Sequence, residues 1–171
     1  MKDNKEKFAS WIIEDAIAKM KKGEMTADNA FCAVKFAAGT ESPESQYYLA
    51  HFYLEGVGCE KDEDKGVELL RISAEGSWAA AQGELGRRYL KGEGVEQNNE
   101  EAVKWLRLAA EQGDSNAANH LVDCYVHGWG VEPDQSEVLK WLGVVAAAKG
   151  RNEATKFIED ELFADEDVEI I

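Results

Sequence analysis

His120, Cys124 and His127 stand four and then three residues apart, a spacing that presents imidazole and thiolate groups on one side of a helix, as zinc or copper requires. Asp123 is the one further ligand type beside them, so the stretch reads as a packed cysteine between two polar surface histidines rather than a metal centre. The pairs Gly56-x-Gly58, Gly92-x-Gly94 and Gly128-x-Gly130 raise a second chemistry, because a glycine-rich loop ahead of a helix cradles phosphate. No copy continues into a Lys-Ser or Lys-Thr pair or follows a strand-like run, so they read as turns. Nucleophilic hydrolysis has no support from Gly-x-Ser-x-Gly or Ser-x-x-Lys, neither of which occurs. Carboxylates are plentiful, yet with 34 Asp and Glu in 171 residues most belong to solvated surface. No catalytic residue, cofactor or metal is expected.

The elements that would position these groups announce themselves by recurrence. Tyr53, Tyr89 and Tyr125 lie 36 residues apart, the glycine pairs keep the same step, and Leu69, Trp105 and Trp141 follow it. Self-similarity at such a period marks stacked supersecondary units. Within one unit, Ala81, Leu85, Gly86 and Tyr89 fall on one helical stripe, and Ala102, Trp105, Leu106, Ala109 and Ala110 on a second. The unit is therefore a helix hairpin, with Gly92 as a left-handed C-cap and Gly113 and Gly150 closing second helices in the same way. One hairpin alone buries too little to offset its ordering entropy, so the hairpins must stack. Trp105 should lie between layers, and its replacement by alanine is expected to cost about 3–5 kcal/mol.

Leu85-Gly86-x-x-Tyr89-x-x-Gly92-x-Gly94-Val95, then Glu101-Ala102-Val103-Lys104-Trp105 and Ala109-Ala110-Glu111-Gln112-Gly113, resembles the Sel-one-like repeat, a longer relative of the tetratricopeptide repeat. The copy at 43–78 has Leu69 for the Trp and Glu75-Gly76 without the Gln, and the copy at 115–151 has Val122 for the small Gly86. The resemblance implies an all-α, right-handed α-α superhelix over residues 1–171. We divide it into a degenerate helix pair at 4–42, repeats at 43–78, 79–114 and 115–151, a capping helix at 152–163 and an acidic tail at 164–171. The first helix reads as amphipathic, with Phe8, Trp11, Ile12, Ala16 and Met20 on its apolar side. Pro43 and Pro133 are expected in loops.

The resemblance also implies that the first helix of each hairpin lines a concave wall, through positions two before and two after its Leu and one turn further on. Here these are Tyr47 and His51, Gly83 and Arg87, Asn119 and Asp123, then Glu55, Lys91 and His127. Tyr47 would be an apolar anchor, Arg87 a fork for a carboxylate and Asn119 a partner for peptide backbone. The function implied is a non-catalytic scaffold or adaptor that binds a protein or peptide on its concave face. The alternative is an acidic regulatory or immunity-like protein that masks a basic partner, and a hydrolase is the remoter rival.

Charge and composition set outer limits. A net charge of −15 and a pI near 4.6 oppose nucleic acid and anionic lipid. Charged residues interrupt every apolar run before it reaches a membrane-spanning length, and residues 11–20 are too charged for a signal peptide. Three cysteines, Cys32, Cys59 and Cys124, are an odd number at irregular spacing, which suits a reducing, cytoplasmic setting. The family resemblance points to a bacterial source. Nothing in the residues sets the oligomeric state.

Overall fold

The computed structural model describes residues 2–150, and these form eight helices: α1 (Lys2–Lys21), α2 (Ala27–Ala38), α3 (Pro43–Glu55), α4 (Glu63–Glu75), α5 (Ala79–Lys91), α6 (Asn99–Glu111), α7 (Ser115–His127) and α8 (Gln135–Lys149). No strand occurs among the described residues, and the architecture is an all-α helical-repeat solenoid. The expected capping helix at 152–163 and acidic tail at 164–171 lie outside the described residues.

Short-range chemistry accounts for the helix boundaries. Thr26, Ser42, Asp62, Asn98, Asp114 and Asp134 each accept a backbone N–H from the first turn of the helix they precede, which satisfies donors that have no intrahelical partner. Gly56, Gly92 and Gly128 end α3, α5 and α7 in the left-handed region, at φ of 67°, 72° and 73°. Pro43 departs from expectation by opening α3, where its missing N–H costs nothing.

First helices start at 43, 79 and 115 and second helices at 63, 99 and 135, so the 36-residue step holds without a slip. Gly76 therefore corresponds to Gln112 rather than Gly113. It takes an ordinary φ of −73°, and Ser77 carries the positive φ of 65° at the position of Gly113, whose φ is 92°.

The apolar side of α1 differs from expectation by about one residue. Ala9, Ile13 and Ala16 are buried, whereas Phe8 and Trp11 are more than half exposed and stack on each other at 6.0 Å. Apolar residues occur all round this helix, and Ala9, Ile13 and Ala16 are the ones that join the core cluster built with α2 and α3.

Two hairpins close through a glycine, and the hairpins are tied by both apolar and polar groups. A Cβ on Gly86 would meet Leu106 at 2.6 Å, and one on Gly66 would meet Leu54 at 2.6 Å, so glycine sets the α5–α6 and α3–α4 spacings from opposite sides. Trp141 belongs to a cluster with Ala102, Leu106, Leu121 and Cys124, and Trp105 packs against Leu70, Ala74, Ala81 and Leu85. Both bridge their own first helix and the preceding hairpin. Leu69 packs against the clusters on both sides of it. Buried Gln82 donates through Nε2 to the Ala74 carbonyl at 3.0 Å, and Gln46 reaches Ala38 in the same manner at 3.2 Å. The Arg107 guanidinium donates to the Tyr125 hydroxyl, while the corresponding Arg71 lies 5.9 Å from the Tyr89 ring centre.

The second glycine of each pair has a different task from the first. Gly58, Gly94 and Gly130 also have positive φ, of 65°, 69° and 72°, and each lies against the preceding hairpin. A Cβ at Gly58 would fall 2.2 Å from the Ala27 carbonyl oxygen, and one at Gly130 would fall 2.3 Å from that of Asn99. The loop of one hairpin thus seats on the start of the second helix before it, with no room for a side chain.

Candidate interaction surface

Because α3, α5 and α7 share one register, residues at equal positions on them line up across three hairpins. Tyr47 of α3, Arg87 of α5 and Asn119 and Asp123 of α7 border one cavity of about 440 Å³. Gly83 forms part of its lining and lets the Asp114 carboxylate lean in, since a Cβ there would lie 3.1 Å from Asp114 Oδ2. Of the residues expected on a concave wall, these are the ones the structure brings together. His51 lies outside the lining, its ring 4.6 Å edge-on from that of Tyr47 and its Nε2 buried without a hydrogen-bond partner. Glu55, Lys91 and His127 sit at the far ends of their helices and do not line the cavity. The Lys91 Nζ is 3.8 Å from Glu93, and the His127 ring lies 4.9 Å from that of Trp129.

Three titratable lining residues escaped the sequence reasoning: Glu84, Asp114 and His120. Glu84 and His120 each follow an expected wall position by one residue, and Asp114 is the N-cap of α7, so register supplied a signal that was read too narrowly. Glu84 also changes the role of Arg87. The Arg87 guanidinium donates from Nε and Nη2 to the two Glu84 oxygens at 2.9 and 2.7 Å, and from Nη1 to Glu93 at 2.7 Å. Arg88 adds a bond from Nε to Glu84 at 3.0 Å. Arg87 is thus engaged within the protein at both edges of its fork, where it had been expected to await a partner's carboxylate.

This network and the two histidines make stability depend on pH. Burial pushes the Glu84 carboxyl up, but the Arg87 hydrogen bonds and the charges of Arg87 and Arg88 outweigh it and hold the group below the usual range. Stability from a depressed carboxyl is present above the unfolded value and is lost as pH falls through the folded one. Burial lowers His51 and His120, against Glu84 and Glu55 for the first and Asp123 and Asp114 for the second. Below the ordinary histidine range the unfolded chain takes those protons first, so stability falls there too. The urea midpoint should therefore decline as pH drops below about 6.5, and His51→Gln with His120→Gln should flatten that first step. A midpoint unchanged across the histidine range would contradict this assignment.

His120, Cys124 and His127 do not converge. His120 borders the cavity, Cys124 is fully buried in the core, and His127 is exposed against Trp129. No group of three or more metal-ligating His, Cys, Asp or Glu side chains occurs among the described residues. Burial and then Asp123 push the Cys124 thiol up to about 11, while Cys32 is exposed. Since the thiolate is the reactive form, iodoacetamide should modify Cys32 in the folded protein and reach Cys124 only after denaturation, as intact-mass spectrometry would show. Modification of Cys124 at the rate of Cys32 would place it elsewhere than the core.

A larger groove, about 710 Å³, opens between α7 and α8 and is lined in part by Val122, Val126, Val138 and Leu142. One repeat earlier the corresponding residues are Gly86, Leu90, Ala102 and Leu106, and the last three pack into the cluster shared with the next hairpin. The groove is thus the stacking face of the last described hairpin. Among the described residues no helix is long and apolar enough to cross a membrane.

Comparisons with known proteins agree with this architecture. The model of the Sel1 repeat family matches residues 43–77, 79–114 and 115–143. A crystal structure of a Sel1 repeat protein from Oxalobacter formigenes superposes with a TM-score of 0.78 at 27% identity, covering 89% of this chain and 62% of that one. A second, of c5321, a protective antigen present in uropathogenic Escherichia coli strains and displaying an SLR fold, gives a TM-score of 0.76 at 27% identity, covering 90% of this chain and 34% of that one. This chain thus spans less than two thirds of either relative. No curated protein matches the sequence.

Proposed function

The chain belongs to the Sel1 repeat family, and on that premise we propose that it is a non-catalytic scaffold or adaptor holding a protein or peptide partner against the wall built by α3, α5 and α7. Sel1 repeats generally mediate protein–protein interaction, which is the coarse part of this reading. The finer part is supported by one observation: a single cavity takes Tyr47, Arg87 and Asn119 from three successive hairpins. Such a site exists only in the stacked chain, and a segment laid across it would touch each hairpin in turn, as peptides do in grooves of this kind. His51, Lys91 and His127 fall beside that path and have no direct role in this reading. Three free cysteines suit a reducing cytoplasm, and two bacterial structural relatives suit a bacterial source.

Net charge supports a second reading, in which a chain at −15 covers a basic partner through its general acidity. Salt separates the two, because interactions between exposed charges are screened over about 8 Å at physiological ionic strength. Capture of the partner by wild type should weaken at raised salt without vanishing, because the Tyr47 contact is not screened, and be lost with Tyr47→Ala plus Asn119→Ala. An exposed α4 pair, Glu68→Gln plus Glu75→Gln, should leave it intact. Retention by the Tyr47 and Asn119 variant would remove the wall from the account, and complete loss with salt alone would favour masking.

A further inference from the structure

We infer that the concave cavity receives a lysine or arginine side chain, so that the partner segment lying on the wall is basic. This deepens the scaffold reading and rests on it. Three carboxylates, Glu84, Asp114 and Asp123, face the cavity against the single guanidinium of Arg87. Arg87 is spent on Glu84 and Glu93, and Glu84 is spent on Arg87 and Arg88. An incoming carboxylate therefore finds no open fork.

The remaining acceptors have spare capacity. Asp114 uses Oδ1 to cap α7, through the backbone N–H groups of Asn116 and Ala117 at 2.9 and 3.1 Å, and its Oδ2 lies over Gly83. Asp123 is exposed and makes no ion pair among the described residues. Burial keeps His51 and His120 neutral near pH 7, so neither offsets the carboxylates. The half-buried Tyr47 ring forms an aromatic wall beside them, and its hydroxyl is raised by burial and then by Glu84, Tyr48 and Asp114, so the acidic field reaches it. A tyrosine ring lining the same cavity as two available carboxylates makes a receptor for a cationic head.

The experiment uses fluorescent capped dodecapeptides of alternating glycine and arginine, and of alternating glycine and glutamate, with binding read by anisotropy on the full chain. The double variant Asp114→Asn and Asp123→Asn removes two charges and keeps a good N-cap, since Asn caps as well as Asp. Glu68→Gln with Glu75→Gln removes the same number of charges from α4, and circular dichroism verifies that both variants fold. The arginine peptide should bind wild type and weaken by about fivefold or more in the Asp114/Asp123 variant, against less than about twofold in the α4 variant. Equal weakening in both, or tighter binding of the glutamate peptide, would overturn the inference. Should the natural partner prove to contact the wall through an acidic segment, the inference fails and the scaffold reading stands. A partner contact away from the wall defeats the scaffold reading itself.

Discussion

Gly130→Ala should lower stability by about 2–5 kcal/mol, whereas Gly128→Ala, two residues away in the same loop, should cost only about 1–2 kcal/mol. Both positions have positive φ, 72° and 73°, so both substitutions meet the left-handed penalty of an L-residue. The difference lies in what a Cβ would touch. At Gly128 the nearest atoms belong to the Pro133 ring at 3.4 Å, an ordinary contact, but at Gly130 they are the Asn99 carbonyl carbon and oxygen at 2.3 Å. A backbone carbonyl in the first turn of α6 has no rotamer through which to yield, so the loop must lift off the preceding hairpin. Gly94→Ala should fall between the two, because its Cβ would meet the Val67 and Glu63 side chains at 2.9 and 3.1 Å, which rotate. Urea midpoints of the three variants supply the check. Equal costs at 128 and 130 would mean that the second glycine is a turn residue only.

Trp141→Ala should cost about 3–5 kcal/mol, the range for removing a buried aromatic. Trp141 is 1% exposed, the largest fully buried side chain among the described residues, and its Nε1 donates to Glu137 at 2.9 Å. Its cluster includes Val103 and Leu106 of α6 as well as Leu121 and Cys124 of α7, so the cavity left behind faces two hairpins. Trp105 holds the same register position but is half-buried, which places Trp105→Ala at or below the lower end of that range. The sequence alone had assigned the full cost to Trp105. Hydrogen exchange adds a sharper reading: in Trp141→Ala, amides of both α6 and α8 should lose protection, because repeats are coupled to their nearest neighbours. Loss confined to α8 would show the hairpins to be independent.

Local chemistry was legible where one residue type has one physical use. The glycines at 56, 92 and 128 and the tyrosine and tryptophan step together place α3 to α8. The wall positions came from the family resemblance, and of them Tyr47, Gly83, Arg87, Asn119 and Asp123 line one cavity. Three features were not legible. The buried side of α1 depends on which of several apolar stripes α2 and α3 select. The 36-residue equivalence of Ser77 and Gly113 was hidden because Gly76 mimics the expected glycine one position early. The ion-pair network was hidden for a third reason. Glu84, three and four residues before Arg87 and Arg88, could have been paired from helical spacing, but the reach of Arg87 to Glu93 depends on the path of the turn after Gly92.

That network shapes how the wall would serve a partner. With Arg87 tied down at both ends, the lining is held in place before anything binds, and less side-chain entropy is lost on association. The most direct test of the account is hydrogen exchange of the full chain, free and in complex with its captured partner. The account predicts added protection in α3, α5 and α7, centred on the turns that carry Tyr47, Arg87 and Asn119, with α4 and α6 unchanged. Protection confined to the second helices, or to the stacking groove between α7 and α8, would contradict it.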